Sequence, residues 1–438
     1  MHFTPHILSL LAIGAIPTLS LEPPILPSED PFYIPQDPSW ASLPPGTILA
    51  SRNITFSSIL PGLPSRSQAY QLLYVTKDVH NNPAHTVTTI VIPPNPNFAQ
   101  LLSLQLAYDS PDINCSPSYG LQYQATGAAA SWNQFQLSLV LPYLLRGPIL
   151  NIPDYEGSNA AFAVGPQSGY QVLDSIRAAL SSGPFTNILP DAKAVMFGYS
   201  GGAFATEWAA EMHPERDYAD IPIAGAAIGG LTPNITKTYL SVNGSASAGL
   251  NAWAILGMMN AFPDLKRYMD NQVLPEFKEA FYGPLTRCSP RTEPVPDLAF
   301  MNISSFFRDG EQFLVEFAEL LNRVGDAGQY GIPDFPLFMY HGTNDDIAPD
   351  ITDIDALVTR LCQAGTRVVY HRYLGLDHSG ALIAGMVPAW AWISSVFEGF
   401  VPRGCYWDNL DPTVPGRDPW DSCGLKYGNL SAEHSSLV

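Results

Sequence analysis

Gly198-Tyr199-Ser200-Gly201-Gly202 sets a serine among glycines, after the apolar run Ala194-Val195-Met196-Phe197 and before the small-residue segment Ala203-Phe204-Ala205. This reads as a strand, a sharp turn and a helix, the context in which a G-x-S-x-G pentad raises a serine hydroxyl at a strained apex. The outer glycines suit such a turn because neighbouring backbone must approach closely there. A serine hydroxyl is a weak nucleophile near neutral pH, so acyl-transfer chemistry needs a histidine to take its proton and an acid to orient that histidine. The alternative is a glycine-rich turn that only packs a helix against a sheet.

The histidines after Ser200 are His213, His341, His371, His378 and His434. In an α/β-hydrolase fold, which a strand-elbow-helix implies, the order along the chain is serine, acid, histidine. Asp345 and Asp346 follow the strand-like run Phe335 to Tyr340, which leaves His371, His378 and His434 as possible bases. His371 lies inside a strand-like run and His434 close to the carboxyl end. His378 sits in the loop Gly375-Leu376-Asp377-His378-Ser379-Gly380, where a side chain can reach across to a serine. Asp350 and Asp377 read as helix-capping or loop carboxylates, and the residues alone do not choose between Asp345 and Asp346. The tetrahedral intermediate of acyl transfer needs N–H donors. One is the amide after the nucleophile, that of Gly201, and the other belongs to the loop after the third strand, where Tyr108-Asp109-Ser110-Pro111 stands in place of an HGGG motif.

The elements that position these groups alternate. Strand-like runs cover Ala69 to Thr76, Thr86 to Ile92, Leu102 to Tyr108, Ile149 to Ile152 and Ile223 to Ile228. Helix-like stretches cover Leu137 to Leu145 and Tyr170 to Leu180. This predicts a mostly parallel sheet, with residues 21–231 as the first part of the core, opened by a proline-rich extended segment reaching Pro45. From 232 to 329 strand signals vanish, and helical stretches at Leu250 to Phe262, Leu274 to Phe281 and Glu311 to Leu321 predict an inserted helical cap. Residues 330–438 return to the core with strands at Phe335 to Tyr340 and Arg367 to Tyr373, a long apolar helix from Ala381 to Phe400, and a tail.

The chain has 438 residues, 46% of them hydrophobic and 14% charged, enough to bury a large core. Its net charge of −19 argues against nucleic acid or an anionic membrane as partner. Residues 1–20 hold an apolar run from Ile7 to Ile16 followed by Thr18-Leu19-Ser20, the pattern of a secretory signal peptide, and no other stretch reads as a membrane anchor. Sequons at Asn53, Asn114, Asn234, Asn243, Asn302 and Asn429 fit glycosylation on a route to the exterior. Five cysteines without metal-ligand spacing predict two disulfides and one leftover thiol, and no metal or organic cofactor.

Taken together, Ala107-Tyr108-Asp109-Ser110, Cys115-Ser116-Pro117-Ser118-Tyr119, Asp154-Tyr155-Glu156-Gly157, the Ser200 pentad, His341-Gly342-Thr343-Asn344-Asp345-Asp346-Ile347-Ala348-Pro349 and Asp377-His378 resemble the fungal secretory lipases of the lipase A type. The resemblance runs over nearly the whole mature chain. It implies Ser200, Asp345 and His378 as catalytic residues and Gly201 with Asp109 as oxyanion hole. An ionised Asp109 would repel an oxyanion, so its backbone N–H or a protonated side chain must serve. It also implies disulfides Cys115 to Cys288, tying the oxyanion loop to the cap, and Cys362 to Cys405, leaving Cys423 free.

The expected activity is hydrolysis of lipid or acyl esters by a secreted monomer working without cofactor, possible at a lipid–water interface. The cap residues Trp253, Ile255, Leu256, Met258, Met259 and Phe262 either line an acyl tunnel or form ordinary helix packing. The family also includes esterases that deacylate secondary metabolites such as the trichothecenes at C-3, which makes deacylation of such a metabolite the alternative. A catalytically silent binding protein on the same fold is the reading from another class.

Overall fold

The computed structural model of the chain describes residues 22–58, 64–144, 147–215, 217–288, 298–348 and 350–412. The expected signal peptide, Asn429, Cys423 and His434 lie outside them. Among these residues the sheet runs β1 (Ile48–Ile54), β2 (Gln68–Lys77), β3 (Pro83–Ile92), β4 (Asn97–Gln105), β5 (Pro148–Pro153), β6 (Lys193–Tyr199), β7 (Ile223–Gly229), β8 (Leu337–Gly342), β9 (Val368–Tyr373) and β10 (Tyr406–Leu410). The spatial order is β1-β2-β3-β5-β4-β6-β7-β8-β9-β10. The strands from β5 onward in that order are parallel, and β3, β2 and β1 continue the sheet, each antiparallel to the strand before it. This is the α/β-hydrolase architecture.

The parallel strands read as unbroken apolar runs because helices cover both their faces. On one face lie α1 (Gly127–Leu144) and, near the carboxyl end, a long helix (His378–Phe397). On the other lie α2 (Gly165–Ser181) and α3 (Gly201–Met212). Two apolar clusters record this layering, one around Trp208, Met196 and Ile228, the other around Trp392, Phe338 and Val195. The long helix is apolar enough and long enough to cross a membrane, contrary to the sequence expectation that no such stretch follows residue 20, yet most of it is buried in the second cluster. It begins at His378, three residues before the predicted start, because Asp377 caps it by accepting the N–H of Gly380 at 2.7 Å. Likewise, Asp350 caps α8 (Ile351–Gln363).

Between β7 and β8 the chain leaves the sheet and forms α4 (Ile235–Val242), α5 (Gly249–Ala261), α6 (Pro263–Gln272) and α7 (Ala318–Gly325) around an apolar cluster of its own. Entry and exit lie side by side, with the Ala327 N–H on the Pro233 carbonyl at 2.9 Å. The return strap is tied to α3: Glu211 accepts the N–H groups of Gly328 and of Tyr330, the latter at 2.7 Å. Both disulfides implied by the resemblance are formed, Cys115 to Cys288 and Cys362 to Cys405. The first joins segments 173 positions apart and fastens the loop after β4 to the insertion.

Three departures have local causes. The Glu311 to Leu321 helix is interrupted at Phe317, giving Gln312–Glu316 and then α7. The strand expected at Leu102 to Tyr108 is β4, Asn97–Gln105, which starts five residues upstream, since the segment from Leu106 turns away to build the loop that holds Asp109. The proline-rich start is not simply extended over the surface: it forms turns at Pro31–Tyr33 and Trp40–Ser42, and it buries Tyr33 and Asp30, the latter 2.6 Å from Arg52.

Several carboxyls are buried. Burial pushes Asp154 and Asp174 up to about 7, and pushes Glu156 and Glu207 well above the ordinary glutamate value, with Glu211 adding to the effect on Glu207. Such groups stay protonated in the folded chain at pH values where the unfolded chain, titrating near 4, has released its protons. Their contribution to stability is therefore complete below about pH 4 and declines as pH rises to about 7 and beyond. We expect the urea midpoint to be higher at pH 5 than at pH 8, and Glu207→Gln to flatten that decline. Equal midpoints in the parent protein would contradict it.

Candidate active site

Ser200 stands between β6 and α3 with φ 57° and ψ −124°, a conformation costing about 1–3 kcal/mol that persists only where the surroundings over-determine it. Two glycines make the turn possible. A Cβ at Gly198 would stand 2.0 Å from the Gly202 carbonyl oxygen, and one at Gly202 would stand 2.0 Å from that of Gln105. The Ser200 N–H donates to the Gly229 carbonyl at 3.0 Å and its own carbonyl accepts the first turn of α3 from Phe204 at 3.0 Å, fixing the apex from both sides.

His378 and Asp345 converge on it from loops that follow parallel strands. His378 Nε2 lies 2.9 Å from Ser200 Oγ and Nδ1 lies 2.8 Å from Asp345 Oδ2. The two aspartates left open by the residues have different places. Asp345 Oδ1 accepts the N–H groups of Ile347 at 2.9 Å and Ala348 at 2.8 Å, so the carboxylate is held rigidly. Asp346 accepts the backbone N–H of His378 at 3.2 Å instead. Burial would raise the Asp345 carboxyl, but the hydrogen bond and charge of His378, with His341 and the Ala348 N–H, outweigh it and hold the group below the usual aspartate value. The acid is thereby kept as an anion facing the imidazole.

His371 is buried within β9, near Asp408, and His213 binds Asp334 and the Ile221 carbonyl, so neither approaches Ser200.

Two positioning groups were not foreseen. His341, four residues before Asp345, places Nε2 3.5 Å from the same Oδ2, and burial depresses its pKa. Tyr199 donates its hydroxyl to the His378 carbonyl, and its ring centre lies 5.1 Å from the imidazole. The i, i+4 spacing of His341 was the available signal. Tyr199 had none, being a variable position of the pentad.

Opposite the triad, Asp109 has φ 44° and points its side chain at Gly201: Oδ1 lies 1.8 Å from where a Gly201 Cβ would be. The neighbouring Ser110 N–H donates to Glu156 Oε2 at 3.2 Å. Asn260 of α5 donates to the Pro111 and Ala160 carbonyls, at 3.0 and 3.1 Å, linking the insertion to this loop.

Two cavities meet at Ser200. One runs between α1 and the His378 helix, walled by Trp132, Phe135, Leu382 and Met386. The other opens under the insertion beside Phe162, Tyr239, Leu250 and Ala254. The stripe Trp253, Ile255, Leu256, Met258, Met259 and Phe262 does not line it. Those side chains form the insertion's own core, and α5 turns Leu250, Asn251 and Ala254 toward the cavity instead.

Of the sequons, Asn53 and Asn302 are exposed; Asn114 is partly buried and accepts from the Ser28 N–H. Asn234 caps α4 with its side-chain oxygen, and the Asn243 amide donates to Asn302 Oδ1 at 2.8 Å. Among the described residues no group of three or more His, Cys, Asp or Glu forms a metal-binding cluster.

Asp345→Asn should lower kcat by roughly 10³–10⁴-fold with little change in KM, since the amide would stabilise the wrong imidazole tautomer. Asp346→Asn should have a far smaller effect, and steady-state kinetics on a soluble ester would separate the two.

Comparison with known proteins agrees with this geometry. Residues 122–403 match a family model described as secretory lipase. Lipase A of Arthroderma benhamiae is 35% identical over 396 residues, covering 88% of this chain and 83% of the relative. Trichothecene C-3 esterase of Fusarium sporotrichioides is also 35% identical, over 404 residues, covering 88% and 87%. The X-ray structure of Candida antarctica lipase A superposes with a TM-score of 0.79 at 25% identity, over 93% of this chain and 95% of that one. With the family model spanning most of the chain and relatives aligned almost end to end, this protein belongs to the secretory lipase family.

Proposed function

We propose that the chain is a secreted carboxylic ester hydrolase working through an acyl-Ser200 intermediate. The observation that carries this is the imidazole of His378, which lies within hydrogen-bond reach of both Ser200 Oγ and Asp345 Oδ2. In this reading Ser200 Oγ attacks the ester carbonyl carbon while His378 Nε2 takes its proton, and the negative oxygen forms beside Gly201 and Asp109. Collapse breaks the bond to the alkoxy oxygen, which leaves with the proton from His378. Water then repeats the sequence on the acyl-enzyme and releases the acid. Asp345 stays ionised throughout and stabilises the imidazolium.

The family's membership of lipases and an esterase supports ester hydrolysis. The two largely apolar cavities flanking Ser200 suit an ester with a sizeable apolar group on each side of the carbonyl, one for the acyl chain and one for the alcohol. Secretion is supported by the family description, by a secreted relative from Malassezia furfur and by the disulfides.

The test is hydrolysis of p-nitrophenyl esters from acetate to palmitate, with Ser200→Ala as control. We expect Ser200-dependent turnover that persists to long chains. Activity confined to acetate would instead favour deacylation of a secondary metabolite, as the Fusarium relative named trichothecene C-3 esterase suggests, and turnover that survives in Ser200→Ala would sink the acyl-serine mechanism.

A further inference from the structure

β4 ends at Gln105, where its pairing with β6 stops at Gly198, and the chain then runs on toward Asp109 outside the sheet. Buried backbone groups on such a stretch must find other partners. Ala107 is 4% exposed, and one side chain serves both of its backbone groups: the Ala107 N–H donates to Gln136 Oε1 at 2.8 Å, and Gln136 Nε2 donates to the Ala107 carbonyl at 3.0 Å. Trp132, one turn earlier on α1, donates its indole N–H to the same carbonyl. Two further residues of that helix reach the later part of the loop: Asn133 Nδ2 donates to the Cys115 carbonyl at 3.3 Å, and Gln134 Nε2 to that of Gly120 at 3.1 Å. Side chains of α1 thus hold the loop after β4 at residues 107, 115 and 120.

Resting on the ester-hydrolase reading, we propose that Gln136 is a positioning residue of the reaction: by pairing with both backbone groups of Ala107 it carries the support of the sheet past the end of β4 and fixes where Asp109 meets Gly201. Three observations carry this. The amide gives Ala107 what a neighbouring strand gives a residue of the sheet, one acceptor and one donor, so a shift of the segment breaks two hydrogen bonds at once. Asp109, two positions on, holds φ 44° with Oδ1 1.8 Å from where a Gly201 Cβ would stand, and a strained residue in so close an approach keeps its place only if the residues leading to it are fixed. Finally, Gln136 borders the cavity that Ala107, Asp109, Ser200 and His378 also line, so its contact with the loop stands beside the reacting serine. The turn after β5 completes the grip on residues 106–110, with the Tyr155 hydroxyl donating to the Leu106 carbonyl at 2.8 Å and Glu156 Oε2 accepting the Ser110 N–H at 3.2 Å. Gln136 is the member of this set that reaches the segment from the wall of the cavity.

Gln136→Leu keeps an apolar side chain of similar length in the wall and removes both hydrogen bonds. It should lower kcat on a soluble p-nitrophenyl ester by roughly tenfold to 10²-fold, with KM within about twofold and the preference among acyl lengths unchanged. Gln136→Glu supplies a readout that lost packing would not. A protonated carboxyl can accept the Ala107 N–H and donate to the Ala107 carbonyl, whereas a carboxylate can only accept and sets a negative oxygen against that carbonyl. The kcat of Gln136→Glu relative to the parent should therefore fall between pH 4.5 and pH 8, while the ratio for Gln136→Leu stays flat. A Gln136→Leu enzyme with parental kcat, a loss that lies in KM instead, or a Gln136→Glu ratio that does not change with pH would overturn the assignment. If Gln136→Leu does not fold, as its unfolding midpoint would show, the pH dependence of Gln136→Glu decides alone. Absence of Ser200-dependent turnover in the parent would refute the ester-hydrolase reading and this assignment with it, whereas an active parent with unaltered Gln136 variants refutes only the role given to Gln136.

Discussion

At Gly198 and Gly202 two backbone segments meet at distances no side chain tolerates, and everything around the site is arranged about that contact. Because α3 starts against the Gln105 carbonyl at the end of β4, the chain must reverse within a few residues of β6. The apex takes a positive φ and lifts the Ser200 hydroxyl off the sheet. The same close approach puts the end of β4 beside the nucleophile, so the loop carrying Asp109 can reach Gly201. The raised Ser200 hydroxyl and the Asp109–Gly201 contact are thus two results of one packing constraint between a strand, its neighbour and a helix start.

The remaining groups come from where parallel strands end. β8 and β9 both point their carboxyl ends toward the elbow, and the loops after them carry Asp345 and His378. Neither is left to a flexible segment. Asp345 is fixed by the two N–H groups that follow it, and His378 by the first turn of a long buried helix whose cap is Asp377. Geometry that must hold within a few tenths of an ångström is supported by elements anchored in the core.

The insertion is fastened to the core at several points: by Cys115 to Cys288 and Asn260 at the loop after β4, and by Glu211 at α3. Its helices form their own apolar core, and only one side of α5 faces the reacting serine. Two buried acids each accept backbone N–H groups of a neighbouring segment, Glu156 that of Ser110 and Glu211 those of Gly328 and Tyr330.

What the sequence by itself determined is what local patterns encode. The pentad between an apolar strand and a small-residue helix identifies Ser200, alternation identifies a parallel sheet, and the loss of strand signals at residue 232 marks the insertion. The resemblance adds Asp345 and the two disulfide pairs. Edge strands β1 and β10 were not legible, because β1 is only partly buried and β10 buries an aspartate, Asp408, where an apolar residue would mark the strand. Only the tertiary structure decided which face of α5 meets the cavity, because a helix apolar on every side has no preferred direction until neighbours cover it. It alone shows that Glu156 takes the Ser110 N–H and that Tyr199 braces His378. These are contacts between segments tens to hundreds of residues apart, or orientations set by such contacts, and nothing in local periodicity records where a side chain will find its partner once distant strands are laid side by side.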